Sequence, residues 1–467
     1  MNNLQNAFYN ILPIFLQNVA CNIHGFKQKK LRYGGSFRDR LEWLEGTQWW
    51  TVNQIEEYQN QQLKKIIAHA YHTVPYYKRV FDNIRLKPND IKTKEDLSKI
   101  PVLTKEDIRR NLADIISRDF KKFALIHSHT SGTSGKSLQF YMEPEAVQFR
   151  WAVWWRHKKR FRIAFDAPYA TFTGLNAIPL NQKYPPFWRE NKQMNQTVFT
   201  MHHIVPNKIQ AIATRLNKGG FTYYAGYPSI IYVLARLLLE HGLKITRPPK
   251  VIFTGAENLY EHHRKVIAEV FQCVVTDQYG FSEGCGNASR CQHDVFHEDF
   301  EYGILECNNS VVHSDRSKEG RILATGFSSY AMPFIRYEVG DVGIWKPEAS
   351  CSCGRHSRVL SKINGRVEDY VITPEGSRIM RFDYIFKDSH AVEEAQVVQY
   401  EKDSITVRVV RRPEYCQNDE ELLRSEIKNK VSSKLKVNFE YIQEIEREAN
   451  EKFRAVKSYL KEEQKIS

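Results

Sequence analysis

The sequence predicts an α/β protein: a large N-terminal body of helices and mixed sheets, then a small α+β C-terminal domain. Three observations carry this. Residues 1 to about 120 are dominated by helical spacing of apolar positions. From about 121 to 345, short apolar runs of strand type alternate with amphipathic helical stretches. After Arg366 the texture changes to period-two alternation over Val392–Tyr400 and Ser404–Val410, followed by a charged helical stretch over 418–434. The 467 residues suffice for two or three domains.

Taken in order, the elements support that division. Gln54–Ile67 has its apolar residues at helical spacing, and Pro75 breaks the pattern. Phe123–His127 reads as a strand and Leu138–Tyr141 as another, so the polar segment between them joins two strands. Residues 208–217 and 228–241 read as helices, and 250–253 and 273–276 as short buried strands. In such sheets ligands sit on loops outside the strand ends. The expected layout is 1–120 mostly helical, 121–364 the α/β part of the large domain, 365–369 a hinge and 370–467 the small domain.

Composition narrows the class. Hydrophobic residues are 42% of the chain, mean hydropathy is −0.52, and no apolar run is long enough to span a bilayer. A soluble globular protein is expected. Tyr9–Leu16 is apolar, with no basic region before it and no clear small-residue cleavage site after it. That gives no signal peptide and leaves the cytoplasm as default. The net charge of +14, from 68 Lys and Arg against 54 Asp and Glu, favours anionic partners such as nucleotides, coenzyme A, nucleic acid or an anionic leaflet. Lys27, Lys29, Lys30 and Arg32 follow the apolar N-terminal stretch, a combination that can rest on a membrane surface. The favoured reading is a helix packed on the body with a solvated basic end, because Pro13 interrupts it and the basic run is short.

The segment His129–Ser137 packs Thr, Ser and Gly into a loop containing a Lys. Backbone N–H groups, hydroxyls and an ammonium there can surround a polyphosphate. A Walker-type loop would need Gly at position 130, where Thr130 stands, and a helix afterwards instead of a strand. A polar hairpin turn without ligand is the competing reading. Further pieces follow in order: Thr254–Glu257 after an apolar strand, Asp277–Gly284, Arg336–Asp341, Gly365–Asp369 and Asn450–Arg454. Upstream stand His69–Tyr77 and Pro101–Asp107.

Together these motifs resemble the adenylate-forming (AMP-binding) superfamily, in its phenylacetate-CoA ligase and CapK-like branch, from about residue 35 onward. The resemblance implies a large adenylate-forming domain and a small mobile C-terminal domain that swings about the Gly365–Asp369 segment. It implies ATP-dependent activation of a carboxylic acid as an acyl-adenylate, with release of pyrophosphate and transfer to an acceptor, most often coenzyme A. It also implies site roles. Thr130, Ser131, Gly132, Thr133, Ser134, Gly135 and Lys136 would hold the phosphates, and Glu283 would bind Mg²⁺. Asp341 would accept hydrogen bonds from the ribose, with Arg366 assisting near ribose and phosphate. Gly255, Ala256 and Glu257 would line the adenine side, Tyr279 would stack on the base, and Gly280 and Ser282 would complete that loop. Lys452 would bridge the carboxylate and the α-phosphate. Taken singly, Glu283 and Asp341 could be ordinary surface carboxylates. Glu451 stands where the family usually has Gly, which makes Arg454 and Lys457 nearby substitutes for Lys452, and Glu368–Asp369 stands where two aspartates are frequent.

The eight cysteines do not space like a disulfide framework. Cys291, His297, Cys351 and Cys353 supply four ligands of the type zinc prefers, and similar Cys/His elements recur in this branch. Cys285 and His293 are rival ligands, and reduced free cysteines are the alternative. Phe140, Tyr141, Tyr223, Tyr224, Tyr227 and Phe281 could line an acyl pocket or belong to the core. CapK-like relatives are associated with capsule polysaccharide biosynthesis, so a sugar or amine acceptor is the alternative to coenzyme A. Relatives are often homodimers. A non-catalytic basic nucleic-acid-binding protein ranks last, because the chain has no recognisable nucleic-acid module.

Overall fold

The structure is a computed structural model. It describes residues 8–129, 138–174, 177–346, 351–364, 370–376, 378–379, 382–386, 391–446 and 455–460. Helices α1 (Ile14–Tyr33), α2 (Phe37–Thr47), α3 (Val52–Thr73), α4 (Pro75–Asn83) and α5 (Lys105–Arg110) make the N-terminal part. Thr51 and Gln54 form a capping box that starts α3. The helical pattern breaks before Pro75 as expected: α3 ends at Thr73, and Pro75 occupies the first position of α4, where its missing N–H costs nothing. Thr104 and Asp107 cap α5 in the same reciprocal way.

Strands β1 (Ile126–His129) and β2 (Gln139–Met142) form an antiparallel pair, with Ile126 opposite Met142 and His129 opposite Gln139. The expected strand begins later than Phe123, which is exposed beside a short 3₁₀ turn. Helix α6 (Pro144–Arg160) follows. The central sheet has twelve strands. Its parallel part is β3 (Tyr169–Thr173), β5 (Gln196–Thr200), β6 (Tyr223–Gly226), β7 (Val251–Gly255) and β8 (Val274–Gly280), edged by antiparallel β4 (Arg189–Asn191). Helices α7 (Ile209–Lys218), α8 (Pro228–Glu240) and α9 (Glu261–Phe271) connect these strands. The spatial order of the parallel strands is 8-7-6-3-5. The chain therefore steps from β3 to one side and returns on the other, the topology that opens a ligand crevice at strand carboxyl ends.

The α/β alternation stops sooner than the expected position near 345. Residues 287–364 contribute only strands among the described residues: β9 (Asn287–Arg290), β10 (Phe296–Glu298), β11 (Gly303–Val312), β12 (Lys318–Gly326), β13 (Tyr337–Trp345) and β14 (Val359–Asn364), paired antiparallel. Short apolar runs such as Arg321–Thr325 fit a buried strand or a helix segment equally by period, and cross-strand pairing decides between them.

Beyond β14 lie the two-residue pair β15 (Val371–Ile372) and β16 (Arg378–Ile379), and helix α10 (Asp383–Phe386). A four-stranded sheet follows, ordered β19-β18-β17-β20, from β17 (Val392–Glu401), β18 (Ser404–Arg411), β19 (Lys436–Tyr441) and β20 (Val456–Ser458). Helix α11 (Gln417–Lys430) runs between β18 and β19. The expected strands and helix are present, but β17 is an interior strand, with Ala395, Val397 and Val398 buried.

Candidate active site

Small residues line the carboxyl ends of four adjacent parallel strands: Gly174 just after β3, Gly226 ending β6, Gly255 ending β7 and Gly280 ending β8. Two of them leave no room for a side chain. A Cβ at Gly226 would lie 2.3 Å from the Phe172 carbonyl oxygen, and one at Gly280 would lie 2.7 Å from Asn287 Oδ1. At both positions the space that a side chain would take is filled by neighbouring protein atoms, so only glycine fits. After Gly255 the chain turns sharply. Ala256 has φ of 66°, a left-handed conformation that costs a non-glycine residue on the order of 1 kcal/mol. Glu257 anchors the turn by accepting from Ser229 Oγ at 2.7 Å, at the start of α8.

The turn after β8 meets β13 through two tyrosine–carboxylate bonds. Tyr279 donates its hydroxyl to Asp341 Oδ2 at 2.9 Å, and Tyr337 donates to Glu283 Oε1 at 2.6 Å. Burial, then the neighbouring Asp341 carboxylate, holds the Tyr279 hydroxyl well above its ordinary range, so it stays a donor. Glu283 is buried, and a buried carboxylate needs such a partner. Arg150 on α6 donates to the Ser282 carbonyl at 3.0 Å, and Ser328 donates to that of Gly284 at 2.9 Å. The predicted Tyr279, Gly280, Ser282, Glu283 and Asp341 are therefore brought together, and Gly255 joins them through its register opposite Gln278. The upstream Pro101–Asp107 motif braces the same strand. The Leu103 N–H donates to the Arg336 carbonyl at 3.0 Å, and the Glu338 N–H donates to the Leu103 carbonyl at 2.9 Å.

Thr130, Ser131, Gly132, Thr133, Ser134, Gly135, Lys136, Arg366, Glu451, Lys452 and Arg454 lie outside the described residues. The base of the hairpin that carries the first seven is placed. Phe140 packs edge-on to Phe334 at 6.3 Å, and Phe334 packs on Tyr337 at 5.1 Å, the tyrosine that holds Glu283. Of the six aromatics weighed as pocket or core, Phe140, Tyr141, Tyr223 and Tyr224 are buried core, while Tyr227 and Phe281 are half-buried.

Sequence reasoning missed Tyr337 and Ser229, because no spacing announces a tyrosine or serine whose task is to hold a distant carboxylate. It also missed a buried charge cluster. Arg156 on α6 donates to Asp299 Oδ1 at 2.6 Å and to Glu301 Oε2 at 3.0 Å, while Asn287 and Ser289 on β9 donate to Asp299 Oδ2. Hydrogen bonds on every side make such a burial tolerable, and they tie α6 to the strand beside β8.

A second cluster joins Cys291, His297, Cys351 and Cys353, whose ligand atoms all lie within 4.8 Å of one another. Cys291 and Cys351 sulfurs are 3.7 Å apart, and Cys353 Sγ lies 3.3 Å from His297 Nε2. The two halves, sixty residues apart, meet because β10 pairs with β14, with His297 opposite Val359. Gly354, at φ 80°, makes the turn that brings Cys353 back. Ser357 Oγ sits 3.5 Å from His297 Nδ1, on the ring nitrogen away from the thiols. Burial, then Arg160 and Arg355, lowers His297 to about 4, so the imidazole is neutral at neutral pH, as a ligand must be. Of the rival ligands, Cys285 is packed in the core with Leu305 and Ala324, and His293 contributes only its backbone N–H to Cys291 Sγ. The donor set and spacing fit a tetrahedral ion, since bonds of ~2.3 Å to sulfur put two sulfurs about 3.8 Å apart.

No described helix is long and apolar enough to cross a membrane. Residues 371–459 match the family described as the CapK C-terminal domain. The chain is 26% identical over 445 residues to Protein CapK of Staphylococcus aureus, covering 94% of this chain and 96% of that protein. It is 26% identical over 340 residues to phenylacetate-coenzyme A ligase of Escherichia coli strain K12, covering 69% and 73%. Among solved structures, its fold matches 2-hydroxyisobutyryl-CoA ligase, solved with 2-HIB-AMP and CoA, at a TM-score of 0.58 and 17% identity over 89% of this chain and 92% of that one. Over most of its length the chain is thus related to Protein CapK and the phenylacetate-coenzyme A ligases, its residues 371–459 match the CapK C-terminal domain, and its fold is that of 2-hydroxyisobutyryl-CoA ligase.

Proposed function

We propose that this protein activates a carboxylic acid with ATP, forming an acyl-adenylate and pyrophosphate, and then transfers the acyl group to an acceptor, coenzyme A first among the candidates. The observation that carries the reading is that Asp341 and Glu283 are each held by a tyrosine hydroxyl where the end of β8 and the turn after it meet β13. Asp341, with two carboxylate oxygens, suits the paired ribose hydroxyls. Glu283 suits a hard divalent cation such as Mg²⁺ bridging phosphate oxygens. Gly255, Ala256 and Glu257 form the adenine side, and Gly280 lets the base approach backbone beside Tyr279. The phosphate loop from Thr130 to Lys136 supplies donors where charge spreads during attack on the α-phosphate. Arg366 and Lys452, both outside the described residues, would supply the further cations that adenylation needs. Cys291, His297, Cys351 and Cys353 hold a structural zinc ion that ties β9 and β10 to the turn before β14.

A second reading concerns the acceptor alone, a sugar hydroxyl or an amine, and rests on the resemblance to the CapK-like branch, whose full-length match is Protein CapK. The test is ATP–[³²P]pyrophosphate exchange with pooled aryl, short acyl, hydroxy and amino acids, followed by product analysis with and without coenzyme A. Acid-dependent exchange that disappears in Lys452→Ala is expected. Exchange with no pool, in a protein that binds ATP and Mg²⁺, would overturn the adenylation reading.

A further inference from the structure

Helix α1 is inside out. Its polar residues face the protein: Gln17 is buried and accepts from Arg189 Nε at 2.8 Å, Asn18 Oδ1 accepts from the Glu190 N–H at 3.0 Å, and Asn22 Nδ2 donates to the Glu190 carbonyl at 3.2 Å. Gly25 sits against Asn191, with no room for a Cβ. Its apolar residues face outward. Phe15, Val19, Ile23 and Phe26 are 49–66% exposed and recur every three or four residues along α1, which sets them along one stripe. The expected packing of an amphipathic helix on the body is present, but through the opposite face. Leaving such a row in water forgoes stabilisation that burial would bring.

We infer that this stripe is a docking surface for an anionic lipid bilayer, on which α1 lies flat. Charge selects this occupant. Residues 1–38 contain no Asp or Glu. Two of the basic residues at the end of α1 are committed to the body: Lys29 pairs with Asp166 at 3.2 Å, and Arg32 stacks on Trp151 at 4.2 Å. Lys27 and Lys30 are exposed at the end of the apolar stripe, which extends it with two cations. An interfacial helix needs this arrangement, apolar side chains for the acyl boundary and lysines for acidic headgroups. A second copy of α1 would bring more positive charge to the strip and no acid. With twenty residues, α1 is about 30 Å long, and its polar face is already hydrogen-bonded, so it lies on a bilayer without crossing it.

Co-sedimentation of the full chain with vesicles of phosphatidylcholine, and of phosphatidylcholine mixed with equal phosphatidylglycerol, tests this without ATP or acid. None of the stripe residues belongs to the proposed adenylation site, so the result is independent of that reading. Strong partition onto the anionic vesicles at low salt is expected, weakening as salt shortens the screening length. Lys27→Glu/Lys30→Glu should reduce it at least 25-fold, about five-fold for each lysine removed. Phe15→Ser/Phe26→Ser should abolish it with an unchanged circular dichroism spectrum. Wild-type protein that stays in the supernatant, or that pellets equally well in both variants, would overturn the inference. So would a wild-type dimer on light scattering that Phe15→Ser/Phe26→Ser splits into monomers.

Discussion

Tyr279 and Asp341, 62 residues apart, are joined by a 2.9 Å hydrogen bond that sets the carboxylate at the end of β8. The tyrosine comes from β8, the last of the parallel strands, and the aspartate from the antiparallel strand β13, so this bond fixes one region of the sheet against the other. A hydrogen bond to a charged group contributes about 1.5–3 kcal/mol. Tyr279→Phe should therefore raise the KM for ATP in pyrophosphate exchange about tenfold while kcat changes little. Asp341→Ala should remove detectable exchange. Unchanged ATP kinetics in Tyr279→Phe would show that the bond does not orient the carboxylate for nucleotide.

The Tyr337–Glu283 bond makes a different prediction, about metal. If Glu283 binds Mg²⁺, Glu283→Gln should cut exchange at least about 100-fold, on the order of 3 kcal/mol of lost transition-state stabilisation. The residual rate should need more Mg²⁺ to saturate. Tyr337→Phe keeps the carboxylate but frees it, and should shift only the Mg²⁺ requirement, by several-fold. A Mg²⁺ titration of both variants separates the two roles, and identical titration curves for wild type and Glu283→Gln would remove Glu283 from the metal.

Zinc analysis of protein purified without a His tag should give about one equivalent, falling below a tenth in His297→Asn or Cys353→Ser. Because the cluster joins segments on either side of β11 to β13, metal loss should also lower the melting temperature, and chelation of the wild type should reproduce the shift. Less than a tenth of an equivalent in wild-type protein would leave four reduced side chains in place of a metal centre.

The sequence marked the segments of the candidate site more readily than the fold around them. Gly255–Glu257, Tyr279–Glu283 and Asp341 were singled out by resemblance to a family's ordered motifs, and the structure brings these segments together at one end of the sheet. Of the five parallel strands, only β7 and β8 were legible, as the apolar runs 250–253 and 273–276; β3, β5 and β6 carry Thr, Tyr and Gln in their runs and were not marked as strands. Residues 287–364 were not, because an antiparallel strand is specified by its partner across the sheet, as His297 is by Val359. Helix α1 misled for another reason. Its amphipathicity is plain in the sequence, but which face meets the body depends on Arg189, Glu190 and Asn191, far away in the chain.

Three buried histidines predict an acid-sensitive fold. Burial, then a nearby cation, keeps each one neutral: Arg160 lowers His157 well below its usual value, and Lys208 helps bring His202 to about 4 and His203 to about 3. A base with a depressed pKa stays unprotonated when folded but takes up a proton in the unfolded chain below about 6.5. Its stabilisation is therefore fully present above pH 6.5 and is lost as pH falls toward its folded value. Asp299 carries the same sign, but its window lies below about 4. By pH 5 His202 and His203 should each have given up about 2 kcal/mol, and His157 adds to the loss in the same direction. Urea unfolding between pH 7.5 and 5, with zinc content followed in parallel, should show a steep loss of stability. His202→Gln should lower that slope by one histidine's share, whatever its effect at pH 7.5. Equal pH slopes for wild type and variant would mean that His202 takes up its proton as readily folded as unfolded.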